Sequence, residues 1–142
     1  RPDTDRKRMK QAKLPPMRFE STDGYPIYVG RNNRQNDELT FRLARKDDIW
    51  CHASKVHGSH VIISCGGTTP PDNTVTQAAQ LAAYYAETGG GQNIPVDVTA
   101  VKQVKKIPNG KPGMVIYHTY RTVIANPYPG IVVDALNAEA KE

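Results

Sequence analysis

The sequence predicts an α+β domain: a mostly antiparallel β-sheet with one main α-helix packed on a face and a short additional helix. Three observations lead to this class. Short runs of β-branched and aromatic residues are separated by turn residues, residues 74–88 show a helical face of small side chains, and residues 35–44 show a shorter helical pattern. A chain of 142 residues can form one domain with a substantial core.

Turn residues divide the chain into the strands of this sheet. Ser21-Thr22-Asp23-Gly24 predicts the loop of a hairpin between a strand at 17–20 and a strand at 25–29. Asn109-Gly110 and Lys111-Pro112-Gly113 interrupt the last strands in the same way. The remaining strands are expected at 49–52, 59–65, 96–104, 114–117 and 122–125.

Two segments have helical periodicity. Leu39 and Leu43 lie four residues apart, which predicts a short helix from Gln35 to Ala44. In the main helix Thr74 is expected to be the N-cap, with Gln77 at the third helical position completing a capping box. The small residues that would face the sheet are Val75, Ala78, Ala79, Ala82, Ala83 and Ala86, and the glycines at 89–91 end the helix near position 88.

The two ends of the chain differ from its centre. Residues 1–16 alternate basic, acidic and apolar residues up to Pro15-Pro16, which predicts a basic linker or a basic arm that touches phosphates. The folded domain is expected at 17–130, and residues 131–142 form a tail or C-terminal helix. The first residue is Arg, as expected for a fragment of a longer protein.

Composition indicates the class of partner. The net charge is +5 and the isoelectric point about 9.3, which favours an acidic partner such as nucleic acid. The mean hydropathy is −0.59, and no apolar window approaches the roughly 20 residues of a membrane helix, so we expect no membrane partner. Without a signal peptide, Cys51 and Cys65 are expected to be reduced thiols in the cytoplasm, with a disulfide across paired strands as the alternative.

Trp50, His52 and His60 lie within eleven residues and are expected to meet at the ends of two neighbouring strands. Such a polar and aromatic cluster is suited to ligand binding. Histidines at strand ends are expected to be partly exposed, so replacing His52 or His60 by alanine should change stability by less than about 1 kcal/mol. Zinc binding is the weaker interpretation, because Cys51 and His52 would point to opposite faces of a strand. Acyl-transfer catalysis is weaker too, since no Gly-x-Ser-x-Gly motif is present. We therefore expect no metal, no cofactor and no enzymatic activity.

Two further groups of polar residues suit contacts with RNA. The loop 30–37 combines arginine forks with asparagine amides, and Lys102 and Lys106 have the parity of residues on one face of a strand. Helix entry and protection of a sheet edge are the alternative explanations. The candidate nucleic-acid-binding residues are Arg31, Asn32, Asn33, Arg34, Trp50, His52, Ser59, His60, Lys102, Lys105, Lys106 and Lys111.

These residues belong to motifs that resemble a known family. Residues 30–37 read Gly-Arg-Asn-Asn-Arg-Gln-Asn-Asp, residues 48–52 read Asp-Ile-Trp-Cys-His, and residues 58–61 read Gly-Ser-His-Val. Together with Pro95-Val96-Asp97 and residues 111–115, they resemble the NFACT-R domain over about residues 17–126. That domain is the C-terminal part of ribosome quality-control proteins of the RqcH, FbpA and NEMF/Tae2 type. His57 and Cys51 depart from the usual residues at their positions.

The resemblance implies a function. It implies an RNA-binding module of a factor that acts on stalled large ribosomal subunits and supports alanine tailing. The implied partners are tRNA or large-subunit ribosomal RNA, the large ribosomal subunit, and other domains of the full-length protein. The opening segment would then be the exit from the family's coiled coil. The alternative, suggested by the family's older name, is an adhesion module that binds fibronectin or fibrinogen.

Overall fold

The computed structural model describes residues 14–127 and has the expected α+β class. Its main sheet has six strands, β1 (Met17–Glu20), β2 (Pro26–Val29), β3 (Ile49–Ala53), β4 (Val61–Ile63), β5 (Ile94–Ala100) and β8 (Arg121–Ala125). Their spatial order is β1-β2-β4-β3-β5-β8, and every neighbouring pair is antiparallel. A separate ribbon pairs β6 (Lys105–Lys106) with β7 (Val115–Ile116).

Within residues 14–127, two α-helices accompany the sheet. The first, α1 (Asn33–Glu38), continues into a π-helical turn at Leu39–Leu43. The second, α2 (Asp72–Tyr84), is the main helix. The predicted linker 1–16 falls largely outside the described residues, as do the end of the predicted domain and the whole tail 131–142.

The register of β3 determines which side chains share a face of the sheet. Trp50 lies opposite Ile62 of β4 and Thr99 of β5. Side chains alternate along a strand, so these three share one face, and Cys51 lies on the other, opposite Val61.

Helix α2 covers the face that contains Cys51. Its alanines at 78, 79, 82 and 83 are all buried, as the small-residue pattern predicted. Short side chains let the helix lie close to the sheet, in an apolar cluster to which all six of these strands contribute. The opposite face has a smaller apolar cluster of Leu39, Trp50, Ile62, Val101 and Val104. The ribbon β6–β7 covers part of that cluster through Val115 and Tyr117.

The predicted capping box of the main helix is wrong. Helix α2 begins at Asp72, and Thr74 is buried inside its first turn. The Thr74 hydroxyl lies 2.7 Å from an Asp23 carboxylate oxygen, so it ties the helix to the β1–β2 loop. The helix also ends before the predicted residue 88, because Glu87 N–H donates to the His57 carbonyl and the chain turns to pair with the β3–β4 loop.

The predicted strand 96–104 is also shorter than expected. Strand β5 ends at Ala100, and Val101–Gln103 form a 3₁₀ turn. Backbone N–H groups of Val101 and Lys102 donate to the Asp48 and Lys46 carbonyls and turn the chain away from β5. The inference that Lys102 and Lys106 share one strand face is therefore wrong.

Candidate nucleic-acid interface

Trp50 is the centre of a polar and aromatic cluster on the face opposite α2. Its ring is fully buried and lies nearly parallel to His52, with centroids 5.6 Å apart. The rings of His60 and Tyr117 approach it edge to face at 5.3 and 4.9 Å. The predicted proximity of Trp50, His52 and His60 is confirmed.

His60 is buried, contrary to the expectation that a histidine at a strand end is partly exposed. The Trp50 Nε1–H group can only donate, and it lies 3.1 Å from His60 Nδ1. The neutral ring therefore carries its proton on Nε2, which donates to the Gly113 carbonyl at 3.0 Å. The Thr40 hydroxyl also lies 2.7 Å from Nδ1. Burial, with His52 nearby, lowers the pKa of His60 to about 3.

His52 is half-buried and lines a cleft at the surface. Burial lowers its pKa, and backbone hydrogen bonds at Ala53 and Gly58 and the charge of Asp97 offset part of that effect. The ring is therefore neutral at neutral pH, with one nitrogen as donor and the other as acceptor. Its position is fixed by the stacked Trp50 ring.

The loop 30–37 is held in place by hydrogen bonds to other groups of the protein. The Asn32 side chain caps α1 by accepting from Gln35 N–H at 2.8 Å. Arg31 Nε donates to the Pro15 carbonyl at 2.7 Å, and Ser59 Oγ donates to the Gly30 carbonyl at 2.8 Å. Three predicted contact residues, Arg31, Asn32 and Ser59, thus hold the loop in place.

Asn36 connects this loop to the histidine cluster. It is 3 % exposed, and its Oδ1 accepts from the His60 backbone N–H at 3.1 Å. A Cβ on Gly30 would lie 1.9 Å from that same oxygen, so only glycine lets the loop pass the amide. The Asn36 Nδ2 group donates no hydrogen bond to any acceptor within residues 14–127, and Asn36 lines the cleft.

The cleft has a volume of about 580 Å³ and runs between three segments. One segment is the β3–β4 loop and another is the loop of the β6–β7 ribbon. The third is the beginning of α1. The lining residues are Asn33, Asn36, His52, Lys55, Val56, His57, Gly58, Ile107, Lys111, Pro112, Gly113, Met114, Val115 and Tyr117.

The predicted basic residues do not form one stripe. Lys102 pairs with Asp47 at 3.7 Å, and Lys106 pairs with Asp37 at 2.9 Å. Lys105 is exposed and lies on the ribbon, and Lys111 is exposed at the cleft.

The predicted contact residues Asn33 and Arg34 are both exposed on α1, but only Asn33 lines the cleft. Asn33 Oδ1 accepts a hydrogen bond from His57 Nε2 at 3.2 Å. In the described part of the chain, no carboxylate pairs with Arg34, Lys55, Lys105 or Lys111.

Sequence patterns did not identify several residues that shape the site. Tyr117 donates to the buried Asp97 carboxylate at 2.5 Å, and Thr122 donates to its other oxygen at 3.1 Å. Burial and that hydrogen bond raise the pKa of Tyr117. Asp97 lies opposite His52 on the neighbouring strand β5. Two segments that are distant in sequence therefore shape one wall of the cleft. The motif residues Asn36 and Asp97 were the available signal.

The two cysteines are free thiols in the structure, and both are buried. Burial raises the pKa of Cys51 to about 12, so it carries a neutral thiol at neutral pH. Residues 14–127 contain no group of three or more His, Cys, Asp or Glu side chains that could hold a metal ion. They also contain no helix that is both long and apolar enough to cross a membrane.

Comparison with known proteins identifies relatives of this chain. Residues 16–119 match the family model described as the NFACT protein RNA-binding domain. Proteins named "Rqc2 homolog RqcH" are 45 % identical over 116 residues in Bacillus subtilis and 46 % identical over 110 residues in Streptococcus pneumoniae. These alignments cover 81 % and 77 % of the chain but only 20 % of each relative.

A solved structure has the same fold. It is described as the C-terminal part of the fibronectin/fibrinogen-binding protein from Streptococcus suis, and it is 39 % identical with a TM-score of 0.81. The match covers 86 % of this chain and 49 % of that one. The chain thus spans about a fifth of the length of the curated relatives and about half of this solved chain.

Proposed function

The chain belongs to the family of NFACT protein RNA-binding domains, and from this premise we propose that it is the RNA-binding module of a ribosome quality-control factor. The observation that carries the proposal is the cleft beside Trp50. It combines an aromatic ring, amides and a neutral imidazole with border lysines that pair with no carboxylate among residues 14–127. This combination provides both kinds of contact that RNA recognition requires, to bases and to phosphates.

The border cations provide the electrostatic part of binding. Lys55 and Lys111 form this border and line the cleft from two different loops. Because these residues have no carboxylate partner in the described region, a phosphate group does not have to displace an existing ion pair. Each cation that neutralises a phosphate releases counterions, so affinity depends strongly on salt.

The proposed partners are tRNA or large-subunit ribosomal RNA, and the large ribosomal subunit that contains them. The relatives' name, Rqc2 homolog RqcH, supports this assignment. In the longer protein the domain would act in the cytoplasm on stalled large subunits, together with the other domains, and would support alanine tailing.

We propose a binding role without catalysis. Cys51 is a buried neutral thiol, and Nδ1 of His60 is occupied by Trp50 and Thr40. Neither group is available as a nucleophile or base.

The name of the solved structural relative supports a second candidate function, binding of fibronectin or fibrinogen. The two candidates differ in the type of contact that the basic border makes. RNA binding through phosphates decreases steeply as salt is raised, whereas binding to a matrix protein has no such required slope.

The test measures binding of the 142-residue chain to tRNA and to fibronectin across a salt series. The double variant Lys55→Gln/Lys111→Gln should lower RNA affinity and reduce the salt slope by about 2, roughly 1 per lost contact. Lys46→Gln is the matched control, because Lys46 is exposed and lies before β3, whereas Lys55 follows it.

Equal slopes for the double variant and the control would remove the cleft from the RNA surface. Tight binding to fibronectin without measurable binding to RNA would favour the adhesion function instead.

A further inference from the structure

We propose that the cleft beside Trp50 binds one unpaired nucleotide of RNA, with the base inside and its phosphate at the lysine border. The inference rests on the proposed RNA-binding function and adds the form of RNA that the site accepts. It follows from the size of the cleft, from its walls and from one amide donor that forms no hydrogen bond within residues 14–127.

The size and walls suit a single flat ring system. A volume of about 580 Å³ lies within the usual range for small-molecule sites, roughly 300–1,000 Å³. Tyr117 and His52 offer aromatic rings that the buried Trp50 holds in place, and Pro112 and Val56 add apolar surface. Aromatic rings of this kind stack on bases of any sequence.

Asn36 supplies the polar contact that identifies a base. Its side chain is buried, and its Oδ1 is already occupied by the His60 N–H. The Nδ2 group is therefore the hydrogen-bonding group that Asn36 can offer to an occupant of the cleft. A carbonyl oxygen or a ring nitrogen of a base would give this donor a partner.

An asparagine that reads adenine through two hydrogen bonds uses both its oxygen and its nitrogen. The Asn36 oxygen already accepts from the His60 backbone N–H, so the contact that we assign to a base is a hydrogen bond donated by Nδ2. The neutral His52 adds one donor or acceptor, so the site can contact a base edge without demanding adenine.

The cleft requires a base that has left its stack. In an A-form duplex the bases are stacked and the major groove is too deep and narrow for side chains to reach their edges. Lys55 and Lys111 belong to two loops that border the cleft. They would hold the phosphate of a nucleotide whose base projects inward, as found in RNA loops, bulges and ends.

The test compares a labelled single-stranded oligoribonucleotide with the same strand annealed to its complement, using the 142-residue chain. The single strand should bind at least about tenfold more tightly. Asn36→Asp keeps the oxygen that His60 uses and removes the donor. Val56→Phe fills the cleft without touching the amide. Each should lower single-strand affinity about tenfold and change duplex affinity less than about twofold.

Ile124→Phe is the matched control, because Ile124 is exposed on β8 and does not line the cleft. It should leave both affinities unchanged. If Asn36→Asp fails to fold by circular dichroism, Val56→Phe decides the outcome alone. Equal affinity for single strand and duplex, or full affinity in Val56→Phe, overturns the inference and leaves the proposed function intact. No binding of either RNA would instead overturn the proposed function.

Discussion

The two faces of the central sheet differ in how they are stabilised. The face under α2 buries only apolar side chains and thiols of the strands, such as Cys51, Val61 and Val96, against alanines. The opposite face buries His60, Asp97 and Thr40 beside Trp50. Apolar contacts tolerate small shifts, whereas buried polar groups require particular partners. The helix face therefore stabilises the fold, and the polar face determines where the cleft lies.

The largest expected effect comes from removing the centre of the polar face. Trp50→Ala should lower the free energy of unfolding by about 3–5 kcal/mol, as large-to-small core substitutions do. The ring is fully buried and contacts His52, His60 and Tyr117. Urea melts measure the change. Tyr120→Ala, at a half-exposed ring, should cost less than about 1 kcal/mol. Similar losses in both variants would contradict the central role of Trp50.

His60→Ala should cost about 2–4 kcal/mol, because it leaves the Trp50 N–H and the Gly113 carbonyl without partners in a buried site. Our sequence-based expectation of a small effect assumed an exposed ring. His118→Ala is the control at an exposed histidine, and its melt should match the wild type. A loss below about 1 kcal/mol for His60→Ala would show that the network adapts to its absence.

Acid should destabilise the polar face. Because His60 is held neutral in the folded state, with its pKa lowered to about 3, the unfolded chain binds a proton first as the pH falls below 6.5. Stability is therefore full above about pH 6.5 and is lost as the pH falls towards 3. Between pH 6.5 and 5 the free energy of unfolding should decrease by about 2 kcal/mol. Urea melts at each pH check this, and His60→Gln should reduce the dependence.

A substitution at Gly113 tests the contact between the loop of the β6–β7 ribbon and α1. It has a φ of +85°, and an added Cβ would lie 3.0 Å from the Asn33 carbonyl oxygen. Gly113→Ala should cost about 1–3 kcal/mol through backbone strain and this contact. Gly89→Ala is a matched control, since Gly89 has a φ of +64° with no atom within 4 Å of the added Cβ. Equal losses in melting experiments would show that the contact adds nothing.

The smallest effect on stability is expected at His52. His52→Ala should change the free energy of unfolding by less than about 1 kcal/mol, because the ring is half-buried and its removal opens the cleft. It should nevertheless weaken RNA binding, since the ring lines the cleft. Urea melts and RNA titrations of the same variant check both statements. Normal RNA binding by an unstable variant would assign His52 to the scaffold.

Local pattern was sufficient for the fold class and for the proximity of Trp50, His52 and His60. The alternation of side chains along a strand placed Cys51 and His52 on opposite faces, and the alanines of α2 indicated its buried side. Local sequence pattern was insufficient where a segment distant in sequence forms a hydrogen bond with a side chain that could also bond locally. In the sequence Thr74 resembles the N-cap of a helix, but in the structure its hydroxyl forms a hydrogen bond to the β1–β2 loop.

By itself the sequence determined an α+β domain with a basic charge, a small-residue helix and a Trp–His cluster, because periodicity and composition are local properties. Only the tertiary structure decided that His60 is buried while His52 borders a cleft, although both lie on the same face. The difference arises because Gly113, distant in sequence, covers His60 with its carbonyl. Burial and hydrogen bonding depend on such long-range contacts, which no local pattern contains.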